Sequence, residues 1–400
     1  MNALRGLAGL LPFPVRQQIA RAAGNHPWKA EPFACFQVSH AEYMGSNVAR
    51  PETLTGVLRE FPRVAPVFDT PWSITGASPE IRQEGGRPRF VSRGIFPTEP
   101  VRVMSLAPGG SVGEEPLAYC PQRRIAVAET VRLWKGEADQ FPLFGHPRFV
   151  APEKKSGIAF SVASVTAEGF YHFLLEGLCR LALVKDWWAQ FDWIVTNGKP
   201  GGYQDRWLTT LGIPSEKLLH VHASSHFHFD QLVFTDYLLR DQQPSAWNAE
   251  LIRSLFPHPR TPGHRWLWMS REDAPNRKLV HEVEWLKRFP RFEKVLLSKL
   301  TPEQQVTLFS EAAVVAGPHG AGFANTAFCP PGTRVLEILP TEFFDPLYSR
   351  WAQAAGLDHR WVQTDFETQP DWKDTAEPVE RFLTGRGKSA KGSPRVIRLA

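Results

Sequence analysis

From residue 124 onward, apolar runs of strand length alternate with amphipathic stretches of helical length. Ile125-Ala-Val-Ala128 and Ile158-Ala-Phe-Ser-Val-Ala-Ser-Val165 read as strands, residues 167–190 as a helix, and Trp193-Ile-Val-Thr196 as a strand. A helix near 205–211 and strands at 218–221 and 231–234 follow, ending at the Pro-rich break Phe256-Pro-His-Pro-Arg-Thr-Pro-Gly263. The alternation then restarts. Trp266–Met269 reads as a strand, 281–289 as a helix, Lys294–Leu297 as a strand and 301–311 as a helix. That helix opens with Thr301 and Gln304 spaced as a capping box and Pro302 at its first position. Ala312–Ala316, a Gly-rich turn, a short apolar helix, the Pro330-Pro331-Gly332 turn and a strand over 333–339 complete the pattern.

The pattern predicts an α/β protein. Residues 1–120 form an irregular, Pro/Gly-rich segment of loops and short strands, 121–256 a first Rossmann-like unit, 264–375 a second, and 376–400 a basic, solvated tail. Open α/β sheets bind ligands at the carboxyl ends of their strands, so the turns there are where chemistry is sought.

Composition narrows the class. Fourteen Trp and 27 Phe among 400 residues supply sizeable cores. The net charge of +5 is concentrated in the tail, where six Lys/Arg face only Glu377 and Glu380. The remainder is nearly neutral, which argues against a nucleic-acid binder. Four scattered cysteines without a CxxC pair indicate neither a zinc ribbon nor a disulfide framework, and a cytoplasmic setting is expected. No run reaches the ~18 apolar residues needed to span a bilayer, although the apolar start of the chain allows peripheral membrane contact.

Three segments carry candidate chemistry. In Gly317-Pro318-His319-Gly320-Ala321-Gly322-Phe323-Ala324-Asn325, glycines after a strand let the backbone approach a ligand, and the following helix presents N–H groups to an anion. His319 adds a donor and Asn325 an amide; a purely structural turn is the alternative reading. In the segment 269–277, Ser270, Arg271 and Arg277 leave the end of a strand, where a guanidinium can clamp a diphosphate bidentately. A solvated loop with cancelling charges is the alternative. In the apolar stretch 169–181, His172, Glu176 and Arg180 fall at i, i+4 and i+8 on one helical stripe. Such a stripe is either an acid/base site or a buried ion-pair ladder. A fourth cluster, His220-Val-His222-Ala-Ser-Ser-His226-Phe-His228, is weighed as a metal site and set aside, because no carboxylate or Cys lies nearby in sequence.

The pieces Tyr171-His172-Phe173-Leu174-Leu175-Glu176, Ser270-Arg271-x-Asp273-Ala274-x-x-Arg277 and Gly317-Pro318-His319-Gly320-Ala321-Gly322-x-x-Asn325, followed by Pro331-Gly332-Thr333-Arg334-Val335-Leu336-Glu337, resemble in kind and order glycosyltransferase family 61. This family includes capsular-polysaccharide and O-linked xylosyl- and N-acetylglucosaminyltransferase relatives. The resemblance covers about 160–340. It implies a GT-B fold, two Rossmann-like units facing across a cleft. It also implies inverting transfer from a nucleotide-sugar, a UDP-sugar by expectation, to a glycan acceptor in surface polysaccharide biosynthesis.

His281-Glu282 departs from the family's usual Asn-Glu, and Cys179 from its usual Pro. On this reading Ser270, Arg271, Arg277, His319, Gly320, Ala321, Gly322 and Asn325 bind the donor, and Glu337 accepts from a ribose diol. His172 or Glu176 is the acceptor base. No Asp-x-Asp occurs, so no metal and no cofactor are expected, with arginines and helix dipoles neutralising the leaving group. A GT-B-shaped polysaccharide pyruvyltransferase and a non-catalytic sugar-binding protein are the competing readings.

Overall fold

A computed structural model describes residues 12–23, 29–33, 56–61, 101–114, 116–131, 141–145, 149–165, 167–239, 244–259, 261–341, 343, 345–368, 370 and 376–385. The chain divides into two compact units, with the division falling between Leu238 and Leu239.

The first unit holds the helix α1 (Phe13–Ala23) and a ten-stranded mixed sheet. Its strands are β1 (Ala30–Glu31), β2 (Gly56–Phe61), β3 (Val101–Leu106), β4 (Gly109–Val112), β5 (Leu117–Cys120), β6 (Ile125–Val127), β7 (Glu153–Ser161), β8 (Trp193–Thr196), β9 (Leu218–His220) and β10 (His226–Thr235). The long β10 is the hinge of the topology. On one side it pairs parallel with β7, which continues through β8 and β9; on the other it pairs antiparallel with β3 and β4. The segment expected to be irregular thus contributes β1 to β5 to the sheet. Its strands are short, and β4 begins Gly109-Gly110, so no long alternating run marks them.

Between β7 and β8 lies one continuous helix, α2. It is α-helical over Phe170–His172, π-helical over Phe173–Leu178 and α-helical again over Cys179–Leu183. Every residue from Phe173 to Leu183 is buried, as its apolar circumference requires. Helix α3 (Tyr203–Thr210) follows β8.

The second unit contains α4 (Ala246–Leu255), β11 (Arg265–Met269), α5 (Glu282–Arg288), β12 (Glu293–Val295), α6 (Pro302–Ser310), β13 (Ala312–Pro318), a 3-10 helix (Ala321–Phe328), β14 (Arg334–Pro340), α7 (Leu347–Ala355), β15 (Asp358–Thr364) and α8 (Ala376–Thr384). Its five strands are all parallel, in the order β12-β11-β13-β14-β15. Helix α6 starts where expected: Thr301 Oγ1 accepts from Gln304 N–H at 3.2 Å, and Gln304 Oε1 accepts from Thr301 N–H at 2.8 Å.

Parallel sheets need both faces covered. On one face Trp266, Trp268, Val314, Ala316, Leu336 and Ile338 pack against Trp285 and Phe289 at α5 and against Val379 and Leu383 of α8. By strand alternation Val335, Glu337 and Leu339 point to the other face, where α7 packs on β15 and on the 3-10 helix. Helix α8 corrects the expectation of a solvated tail from residue 376. Its spacing of Val379 and Leu383 puts two fully buried side chains on one stripe, while residues 386–400 lie outside the described residues.

The apolar start of the chain also falls mostly outside the described residues. Among the described residues, no helix is long and apolar enough to cross a membrane.

If α8 closes this core, Leu383→Ala should destabilise the protein by about 2–4 kcal/mol through lost burial and a residual cavity. Urea unfolding followed by tryptophan fluorescence checks this, and an unchanged midpoint would mean that the helix does not dock.

Candidate active site

The sheet of the second unit reverses its winding at β11, whose neighbours β12 and β13 are reached by crossovers on opposite faces. This is the topological switch point of a doubly wound sheet, and the crevice there lies outside the carboxyl ends of the two central strands. Met269-Ser270-Arg271 leaves β11 at this point, and Pro318-His319-Gly320 leaves β13.

Two glycines make their close approach feasible. Gly317 has φ +155°, and a Cβ there would lie 2.5 Å from the Met269 carbonyl oxygen. A Cβ on Gly320 would collide with Arg271 Nη1, so the guanidinium lies directly on the Gly320 backbone. Ala321 and Gly322 begin the 3-10 helix, the position where helical N–H groups lack carbonyl partners. Asn325 is buried, its Nδ2 donating to the Gly322 carbonyl at 3.3 Å. It therefore braces the first turn.

Arg271 donates through Nη2 to the Asn276 carbonyl oxygen at 3.1 Å and to Asn276 Oδ1 at 3.2 Å. Its Nε is buried and makes no hydrogen bond among the described residues. Arg277 adopts the left-handed conformation with φ +53°, an uncommon strain for an arginine, and its guanidinium lies 5.6 Å from the Phe343 ring centroid. Among the described residues neither arginine has a carboxylate within 4.0 Å. Burial and the neighbouring Arg277 both depress the Arg271 pKa below its ordinary value. An anion placed here would relieve both effects.

His319 is buried between Phe343 and Tyr348, with ring centroids 5.0 and 5.1 Å away. Its Nδ1 contacts Glu337 Oε1 closely, while Glu337 Oε2 pairs with His359 Nε2 at 3.0 Å. Both carboxylate oxygens are therefore engaged by histidines. Instead of opening toward a ribose, Glu337 sits behind His319 on the covered face of β14. Burial would raise the Glu337 pKa, but the two histidines outweigh it and hold it at about 2. Tyr348 is pushed up by burial first, then by Glu337 and Asp345.

Ser270 also turns inward. Its Oγ donates to Glu282 Oε2 at 2.9 Å and accepts from Glu272 N–H at 3.3 Å. Glu282 accepts in addition from Trp268 Nε1 at 2.7 Å and pairs with Lys294 Nζ at 2.9 Å. This buried carboxylate, absent from the sequence-derived list, anchors the root of the Arg271 loop from α5. Its sequence signals are its place in the His281-Glu282 pair and in the first turn of a helix, where an acid usually marks favourable dipole interaction.

In the first unit Glu176 is fully buried, and its Oε2 lies 3.8 Å from Arg180 Nη2. Arg180 Nη1 donates to the Ala163 carbonyl at 2.7 Å, and its guanidinium sits 4.7 Å from the Tyr237 ring centroid. His172 stands half-buried where the π-helical segment begins. The spacing thus joins Glu176 to Arg180 in an interior pair.

The clustered histidines have separate employments. His220 Nε2 pairs with Asp205 Oδ1 at 2.7 Å, and His222 Nδ1 with Ser224 Oγ at 3.0 Å. Tyr119 Oη meets His226 Nε2 at 2.5 Å and His228 Nε2 at 2.6 Å, while His226 Nδ1 pairs with the Val150 carbonyl at 2.7 Å. Among the described residues, no three His, Cys, Asp or Glu side chains converge as a metal site.

The family model described as Glycosyltransferase 61 matches residues 170–336, from the start of α2 into β14. The chain is also similar to a beta-1,2-xylosyltransferase from Arabidopsis thaliana, 33% identical over 64 residues, which is 16% of this chain and 12% of that protein. The alignment thus spans about an eighth of that relative's length.

Arg277→Gly separates strain from function at the site. Releasing the left-handed strain roughly offsets the added chain entropy of glycine, so stability should change by less than about 1 kcal/mol. UDP affinity should fall about tenfold, as for loss of one charged contact. Calorimetric titration together with a melting curve checks both; unchanged affinity would remove Arg277 from the site.

Proposed function

We propose that this protein is an inverting glycosyltransferase of GT-B type that moves a sugar from a nucleotide-sugar, by preference a UDP-sugar, to a hydroxyl of a glycan acceptor. One observation carries the reading: Arg271 and Arg277 converge at the switch point of a doubly wound sheet, beside the Gly320 backbone and His319, with no carboxylate within ion-pair distance among the described residues. A leaving nucleoside diphosphate presents the dispersed negative charge that such a site lacks. The family match supports the transfer chemistry.

Inversion in a single displacement needs a base for the acceptor hydroxyl, and His172 and Glu176 remain its candidates. Half-buried His172 suits a base that must meet a substrate. Glu176, fully buried beside Arg180, suits a brace for α2. The setting we propose is surface polysaccharide biosynthesis at the cytoplasmic face of the membrane. Val15 and Ile19 support peripheral contact, both exposed and one helical turn apart on α1.

The direct test is incubation of the protein with UDP-sugars without acceptor, where slow release of UDP is expected; a sugar-binding protein would release none, and a pyruvyltransferase would ignore these donors. Arg271→Ala should weaken UDP binding by about 2 kcal/mol, roughly 30-fold. Release should survive EDTA, since arginines in place of a cation neutralise the leaving group. Full dependence on added manganese would contradict this assignment.

The two base candidates separate in one further experiment. His172→Asn should lower kcat ~100-fold or more with donor binding intact, as removal of a general base does. Glu176→Gln should mainly cost stability, about 3 kcal/mol, by leaving Arg180 without its carboxylate. Reversal of those two outcomes would exchange the roles.

A further inference from the structure

We propose that His359 is a positioning residue for the site: acting through Glu337, it fixes the tautomer and ring orientation of His319 so that Nε2 of His319 is presented to the ligand. This rests on the diphosphate reading of the site above.

Three consecutive strands supply the three groups. His319 follows the last residue of β13, Glu337 lies within β14, and His359 lies near the start of β15. Glu337 is in register with Gly317 on one side and Trp361 on the other. His359, two residues before Trp361, therefore shares its face, and its ring reaches Glu337 diagonally across the strands. The sheet itself sets the spacing, and no loop has to close for the contact to form.

Proton counting assigns the roles. An ionised carboxylate only accepts, so both histidine nitrogens facing Glu337 carry hydrogens. For His319 this places a proton on Nδ1 and turns Nε2 outward. Nε2 makes no hydrogen bond among the described residues. For His359 it places a proton on Nε2, while Nδ1 is buried and makes no hydrogen bond among the described residues. Among the described residues the His359 side chain therefore has one polar contact, and that contact is Glu337.

A carboxylate 1% exposed needs both oxygens satisfied. Without His359, Oε2 would be left unsatisfied. The carboxylate could then rotate off His319 or take up a proton. The charged and titratable groups around Glu337 are His319 beyond β13, His359 on β15 and Tyr348 on α7, with Arg271 and Arg277 reaching Tyr348 from the loop after β11. Among the described residues, only the two histidines bond to its carboxylate.

The direction of the pH effect follows. Glu337 is held below its ordinary value, so what its charge supports is present near neutrality and is lost as pH falls through its own pKa. Removing His359 takes away one of the groups that lower that pKa, and the loss should then occur at higher pH.

The test compares His359→Leu, which removes the donor, with His359→Gln, whose amide nitrogen can replace Nε2. Two readouts are needed: long-range 1H–15N correlation of the histidine side chains, and UDP titration between pH 5 and 8. We expect wild type to show His319 protonated at Nδ1. His359→Leu should lose that fixed tautomer and should bind UDP about tenfold more weakly at pH 5.5, as for one weakened charge-assisted hydrogen bond, with most affinity recovered at pH 8. His359→Gln should restore both.

If the leucine variant does not fold, His359→Asn, whose amide stops short of Glu337, carries the same expectation. A leucine or asparagine variant with wild-type His319 resonances and a wild-type pH profile would overturn the proposal, as would a glutamine variant that rescues neither. Failure of wild type to bind UDP would defeat the diphosphate reading instead, and the histidine resonances would still decide the role of His359.

Discussion

The reversal of winding direction at β11 is the constraint on which the candidate site depends. The two strands on either side of β11 are reached by crossovers on opposite faces, so a gap opens outside the carboxyl ends of β11 and β13. Arg271 and the His319–Gly320 turn come to that gap because each follows the last residue of one of those two strands. The gap is usable only because Gly317 and Gly320 have no side chains: one would meet a carbonyl of β11, the other the guanidinium itself.

The electrostatics of this corner stand out against the rest of the molecule. Two other partly buried arginines are matched by carboxylates. Arg102 is clasped by Asp236 and Glu129, and Arg265 by Glu293 and Glu311. At the switch point the nearest fully buried carboxylate, Glu337, is instead occupied on both oxygens by histidines, and it lies behind His319. The charge of Glu337 thus lies one layer back from the guanidiniums, where it orders a ring. Burial and Arg277 hold the Arg271 pKa below its ordinary value, which favours an anionic occupant.

Much of the second unit was legible in the sequence because each element there is specified locally. The capping box of Thr301 and Gln304, the apolar run before Gly317 and the Pro-Gly turn before β14 all mark their own boundaries. The loops after β11 and β13 could be placed at strand ends as well, because each directly follows an apolar run. What escaped is what depends on pairing across the fold. The antiparallel half of the first sheet is built from three- to six-residue strands whose partners lie as far as 132 residues away, as Val103 with Thr235. The π-helical turn of α2 has no compositional mark. The sequence shows Glu282 only as half of the His281-Glu282 pair at a helix start, and His359 as an ordinary polar residue at a strand start. Only the register of β11, β14 and β15 turns them inward.

The phenol of Tyr119 lies across Gly110, where a Cβ would overlap its ring, to meet both His226 and His228. A phenol has a single proton to give. Since the Val150 carbonyl can only accept, His226 donates from Nδ1 and receives at Nε2, so Tyr119 must donate to His226 and accept from His228. Burial keeps both rings below their ordinary pKa and so favours this neutral state. The three side chains therefore form a chain with one sense of direction, running from half-buried His228 inward to the backbone between β6 and β7. Its polarity cannot be reversed without breaking the bond to Val150, which makes it a one-way latch between β5 and β10.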